Sequence, residues 1–194
     1  MIRVAVAGAA GKMGRALIQA IDAADELTLG AAFEHAQSPA LGQDAGVLAA
    51  VRGCGVAVGK DVVAAIDSFD VVIDFTVPEA TLALAQACAQ NNKAMVIGTT
   101  GFSEQQLQIL HSYQDKMAIF TSPNMSVGVN LMLQLVARAA QALGDSVDVE
   151  VIEAHHKDKV DAPSGTAVRI GDVLADALGR DLSKDAVYGL SLIH

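Results

Sequence analysis

The first fourteen residues confine this chain to a narrow set of folds. Ile2-Arg-Val-Ala-Val-Ala-Gly8 is a short apolar run that ends in glycine and reads as a buried strand. Gly8-Ala9-Ala10-Gly11-Lys12-Met13-Gly14 follows at once, and apolar residues at helical spacing (Met13, Ala16, Leu17, Ala20, Ile21) come next. Strand, glycine turn and helix in this order put glycine where the chain turns sharply and where backbone must approach a pyrophosphate. The helix N-terminus adds free N–H groups and the positive end of its dipole. The spacing is G-x-x-G-x-x-G, because Ala10 stands where the commoner G-x-G-x-x-G has glycine.

A second apolar run, Leu27 to Phe33, closes on Glu34, twenty residues beyond Gly14. An acid there can accept hydrogen bonds from the hydroxyls of an adenosine ribose, so the first unit reads as a dinucleotide site. His35 follows. An Arg at that point would favour a ribose 2′-phosphate; a histidine does so weakly, and Glu34 repels the phosphate. NADH is therefore favoured over NADPH.

Beyond this unit strand and helix keep alternating. Strands are expected near 55–58, 70–76, 93–98 and 117–121, and helices over 61–66, 78–91 and 103–113. Crossovers long enough to hold a helix imply a doubly wound parallel sheet. Phe75-Thr76, Gly98-Thr99-Thr100 and Ser122-Pro123-Asn124-Met125 fall at the carboxyl ends of its strands, where such sheets bind ligands. Small and hydroxylated residues there suit the walls of a nicotinamide-ribose site. The pattern then changes: a long helix over 127–143 precedes a strand at 147–154, which Asp148, Glu150 and Glu153 make half-exposed. The expected division is a dinucleotide-binding domain, 1–126, and the first part of a substrate domain, 127–194.

The formal net charge of −9 argues against general binding of nucleic acid or anionic membrane. No apolar run is long and uncharged enough to span a bilayer, and the first residues read as a strand and turn, so no signal peptide is expected. Cys54 and Cys88 have neither metal nor redox spacing. A cytoplasmic protein is expected. An acidic chain that binds an anionic substrate must reverse its field locally, and Glu153-Ala-His155-His156-Lys157-Asp158-Lys159-Val-Asp161-Ala-Pro163-Ser164-Gly165-Thr166 does so. Lys157, Lys159 and Arg169 can attract an anion, and His155 or His156 can supply a proton near neutral pH. Ser164-Gly165-Thr166 precede an apolar helix, so their N–H groups can receive a carboxylate. His155-His156 without a clear third ligand does not make a zinc site, and no metal is expected.

Five stretches, "GAAGKMG", "IDFTVPEAT", "VIGTTGF", "SPNMSVGVN" and above all "EAHHKDKVDAPSGTA", resemble the 4-hydroxy-tetrahydrodipicolinate (dihydrodipicolinate) reductase family of the diaminopimelate route to lysine. The resemblance runs from residue 2 to about 188. It implies a Rossmann-like domain followed by an α+β substrate and tetramerisation domain. It implies that Gly8, Ala9, Ala10, Gly11, Lys12 and Met13 bind the pyrophosphate and Glu34 the adenosine ribose. Gly98, Thr99 and Thr100, with Ser122, Pro123, Asn124 and Met125, would flank the nicotinamide. His155 would be the general acid and Lys159 a second proton donor; His156, Gly165 and Thr166 would hold the carboxylates of a cyclic imine. A homotetramer is implied as well.

The chain departs from the family at three points. Met125 replaces a usual Phe. His35 stands where some members have Arg. After Tyr188 the last six residues do not resemble the family, whose members continue further. A truncated frame with an incomplete substrate-domain sheet is expected to aggregate and turn over poorly. Two other readings share the first domain. Another Rossmann oxidoreductase on a small carbonyl or imine does not require the His155–Thr166 pattern. A non-catalytic nucleotide sensor has no need of Lys159.

Overall fold

The computed structural model describes residues 1–155, 157 and 162–189. They form two compact units that divide between Pro123 and Asn124.

The first unit is a six-stranded sheet in the order β3-β2-β1-β4-β5-β6. The strands are β1 (Ile2–Ala7), β2 (Leu27–Phe33), β3 (Val58–Gly59), β4 (Val71–Asp74), β5 (Ala94–Ile97) and β6 (Ile119–Thr121). Every neighbouring pair is parallel. β1 shows why its apolar run is continuous. Successive side chains point to opposite faces, and both faces are covered. Val4 and Val6 join Ile18, Ile21 and Ala32 on one side. Ala5 and Ala7 join Phe33, Phe69, Val72, Leu84 and Ile97 on the other.

The helices of this unit are α1 (Lys12–Asp22), α2 (Ala45–Leu48), α3 (Pro78–Gln90) and α4 (Glu104–His111). α1 buries Gly14, Ile18 and Ile21, one stripe at helical spacing. α3 starts on Pro78, whose missing N–H costs nothing in a first turn. α4 starts with a capping box between Ser103 and Gln106. Arg3 ties the entry of β1 to that of β4: its backbone N–H and guanidinium both donate to Asp70, at 2.9 Å and 2.5 Å.

Two expected elements differ. At 61–66 the chain makes turns and then a 3-10 helix, Ile66–Ser68, instead of an α-helix. Asp61 caps the segment, accepting from the N–H groups of Val63 and Ala64. The β-branched Val62 and Val63 disfavour a longer helix, and the fully buried Phe69 draws the chain straight into β4.

The second unit holds α5 (Val127–Leu143), capped by Ser126, α6 (Gly165–Leu178), capped by Ser164, and the short α7 (Leu182–Asp185). α5 and α6 lie in contact. The segment expected as a strand at 147–154 pairs with no strand among the described residues. A strand exists through its ladder partner, and among the described residues the segment has none.

Candidate active site

The glycine turn has the geometry its spacing implied. Gly8 sits at φ +69°, a left-handed conformation that glycine adopts at no steric cost. Gly11 caps α1 with no side-chain hydrogen bond, which leaves first-turn N–H groups to a ligand. At Gly14 a Cβ would lie 2.1 Å from the Gly8 carbonyl oxygen and 2.7 Å from the Ala9 Cα, so glycine lets the helix pack against the turn.

The structure also accounts for Ala10. Its φ is not positive, so alanine fits there without strain. Its N–H donates to Glu34 Oε1 at 2.9 Å. That bond ties the β2 acid to the glycine turn and holds its carboxylate in place. Lys12 and Met13 are exposed on the first turn of α1, while Ala9 is buried beneath it. His35 is two-thirds exposed, with Nε2 3.8 Å from Glu34 Oε2. These residues fit a dinucleotide: an open helix start for the pyrophosphate and an anchored carboxylate for a ribose.

The chain runs from β1 to β2 in one direction and from β4 to β5 in the other. The crevice between the ends of β1 and β4 is therefore the topological switch point at which such sheets bind ligands. The glycine turn and the end of β4 meet there, since a Cβ on Gly8 would be 3.0 Å from Thr76 Cγ2. The Gly98 N–H donates to the Asp74 carbonyl at 2.8 Å, and the Ser122 N–H to that of Ile97 at 3.1 Å. The structure thus brings Gly98, Thr99, Thr100 and Ser122 to one edge with Thr76. Thr100 is exposed, but Thr99 is buried and its hydroxyl turns inward. Pro123 ends this unit; Asn124 and Met125 open the next.

Beneath this edge lies a cluster that no motif in the sequence marks. Asp74 is fully buried. Its Oδ1 accepts from the Thr76 N–H at 2.9 Å and the Thr76 hydroxyl at 2.6 Å. Its Oδ2 accepts from the Thr81 hydroxyl at 2.5 Å. A carboxylate closing an otherwise apolar strand, Val71-Val-Ile-Asp74, was the available signal.

In the second unit Glu153 and His155 are two residues apart and their side chains meet. Glu153 Oε2 lies 2.7 Å from His155 Nε2. Glu153 Oε1 accepts the Ser164 N–H at 2.9 Å, and Ser164 caps α6 by accepting from the Ala167 N–H at 3.0 Å. The Ser164 hydroxyl, the Ser164 N–H and His155 together hold the Glu153 carboxyl at about 2, well below its usual 4.5. Glu153 opens the His155–Thr166 segment, and its sequence position alone does not reveal this contact. Gly165 and Thr166 open α6 and are exposed. His156 and Lys159 lie outside the described residues. Among the described residues no His, Cys, Asp and Glu cluster could hold a metal ion.

A parallel sheet of this order, with an uncapped glycine turn at its switch point and an anchored acid after β2, defines a Rossmann-type dinucleotide-binding protein. Family models described as "Dihydrodipicolinate reductase, N-terminus" and "Dihydrodipicolinate reductase, C-terminus" match residues 2–125 and 128–190. The chain belongs to the dihydrodipicolinate reductase family. It is 54% identical over 187 residues to the 4-hydroxy-tetrahydrodipicolinate reductase of Alkalilimnicola ehrlichii, covering 96% of this chain and 70% of that one. It is 50% identical over 189 residues to the enzyme of the same name from Hahella chejuensis, covering 97% and 71%. A solved structure, dipicolinate-bound dihydrodipicolinate reductase from Paenisporosarcina sp. TG-14, superposes with a TM-score of 0.74 at 33% identity. That match covers 91% of this chain and 66% of the other.

Proposed function

We propose that this chain reduces 4-hydroxy-tetrahydrodipicolinate to tetrahydrodipicolinate, with loss of water, in the diaminopimelate route to lysine. The observation that carries this reading is the match of both halves of the chain to the two halves of one reductase family. The bound nicotinamide supplies a hydride to the substrate ring.

The chain's own residues do the rest. Gly8 to Met13 form the pyrophosphate loop, with the first-turn N–H groups of α1 donating to it, and Glu34 receives the adenosine ribose. Gly98 to Thr100 and Ser122 to Met125 flank the nicotinamide. NADH is the preferred cofactor, because Glu34 has no Arg beside it to attract a 2′-phosphate. His155 delivers the proton that completes the reduction, and Lys159 is the second donor. Glu153 accepts from the His155 ring nitrogen and so fixes its orientation. The exposed N–H groups of Gly165 and Thr166 at the start of α6 receive a substrate carboxylate, with His156 on the other. The protein acts in the cytoplasm as a homotetramer. No helix among the described residues is long and apolar enough to cross a membrane.

Steady-state reduction of the cyclic dicarboxylate by His155→Ala and Lys159→Ala tests these roles. Loss of a positioned proton donor lowers turnover by about 10²- to 10⁴-fold. If neither change lowers it tenfold, the catalytic assignment is wrong.

A further inference from the structure

We infer that Asp74 and Thr81, which no ligand can reach directly, are positioning residues that set the nicotinamide end of the cofactor site. The inference rests on the dinucleotide reading above. It starts from proton bookkeeping. The Thr81 hydroxyl has one hydrogen and three acceptors in range: Asp74 Oδ2 at 2.5 Å, Thr99 Oγ1 at 3.0 Å and the Val77 carbonyl at 3.1 Å. The shortest contact, to a carboxylate oxygen, takes it. The Thr99 hydroxyl must then donate to Thr81 Oγ1. The Thr99 oxygen in turn accepts the Thr76 N–H at 3.0 Å, which it shares with Asp74 Oδ1 at 2.9 Å. The Thr76 hydroxyl donates to Asp74 Oδ1.

Every hydroxyl hydrogen in the cluster thereby has one direction, and every one leads to Asp74. The consequence reaches the surface through the backbone. Thr76 and Thr99 stand at the ends of neighbouring strands, β4 and β5, and the Asp74 carbonyl receives Gly98. Fixing those two threonines fixes the turns on either side of the edge, with the half-buried Thr76 and exposed Thr100 at its rim. The adenosine end depends on other bonds, those of Glu34 and the start of α1. The two ends of the site are thus held by different hydrogen bonds. Buried Asp74 and Thr81 serve one of them.

The test measures binding of NADH and of ADP, which lacks the nicotinamide half, by calorimetry. Thr81→Val keeps the shape but leaves Asp74 Oδ2 without a donor and Thr99 without an acceptor. It is expected to weaken NADH at least tenfold and ADP less than about threefold. Thr81→Ser restores the hydroxyl and keeps NADH affinity within about twofold of the parent. Asp74→Asn puts a donor where one hydroxyl now donates, and repeats the Thr81→Val pattern should that variant fold poorly. Equal weakening of NADH and ADP, or no weakening of NADH, overturns the inference. A parent chain that binds neither ligand refutes the dinucleotide reading itself.

Discussion

Gly14→Ala is the sharpest perturbation of the cofactor turn, because two effects oppose each other and the geometry decides between them. Alanine in a helix is worth up to about 1 kcal/mol over glycine. Against that, the new Cβ would lie 2.1 Å from the Gly8 carbonyl oxygen, where ordinary contact begins at 3.4 Å. Both partners are backbone in a packed interior, so neither can rotate away. α1 must move by about 1 Å, and overpacking of this kind costs about 3 kcal/mol, the upper end of its usual range. The net loss of about 2 kcal/mol lowers Tm by about 4–8 °C in a chain of this size. The same shift withdraws first-turn N–H groups from the pyrophosphate and weakens NADH at least tenfold, since bonds to charged groups are worth about 1.5–3 kcal/mol. Gly11→Ala is the control for stability: its Cβ would stand 3.2 Å from the same oxygen, a contact that a few tenths of an ångström relieve. Its Tm should stay within about 2 °C of the parent. Scanning calorimetry and NADH titration read both quantities. A Gly14→Ala protein with unchanged Tm and NADH affinity would refute the packing argument.

Two further outcomes follow from single side chains. His35→Arg adds a permanent cation next to Glu34, and should raise the affinity ratio of NADPH to NADH at least tenfold in parallel titrations; an unchanged ratio removes residue 35 from cofactor choice. The Glu153 carboxyl, held at about 2 against its usual 4.5, stabilises the folded state fully above pH 4.5 and loses that contribution as pH falls toward 2. Acid-unfolding curves of the parent and Glu153→Gln should therefore diverge between those limits and converge near pH 2. Curves that differ by a constant amount would show that the Ser164 and His155 contacts are not what depresses it.

Much of the first unit was legible because its constraints are local. Gly8 and Gly14 announce a turn and a close approach, and α1 spans the residues its apolar spacing marked. Glu34 falls at the end of β2, as counting from Gly14 implied. What escaped were contacts between distant residues. Asp74 and Thr81 look unremarkable one at a time: a strand-end acid and a helix threonine. Only the pairing of β4 with β5 and the packing of α3 brings Thr99 to them. Thr99 was expected in the wall of the nicotinamide site; its side chain is buried with the hydroxyl turned inward, while Thr100 is exposed. The 147–154 segment has strand-like composition, but composition cannot supply a ladder partner. At 61–66 the place of a short local element was legible, but its length and type were not.

The central claim is that hydride passes from the nicotinamide to 4-hydroxy-tetrahydrodipicolinate on this chain. Cofactor carrying deuterium at the transferred position tests it most directly, with the product examined by mass spectrometry. The account predicts one deuterium in the tetrahydrodipicolinate ring for each cofactor oxidised, and a rate that falls at least a hundredfold in His155→Ala. Cofactor that binds but passes no deuterium to that substrate would contradict it.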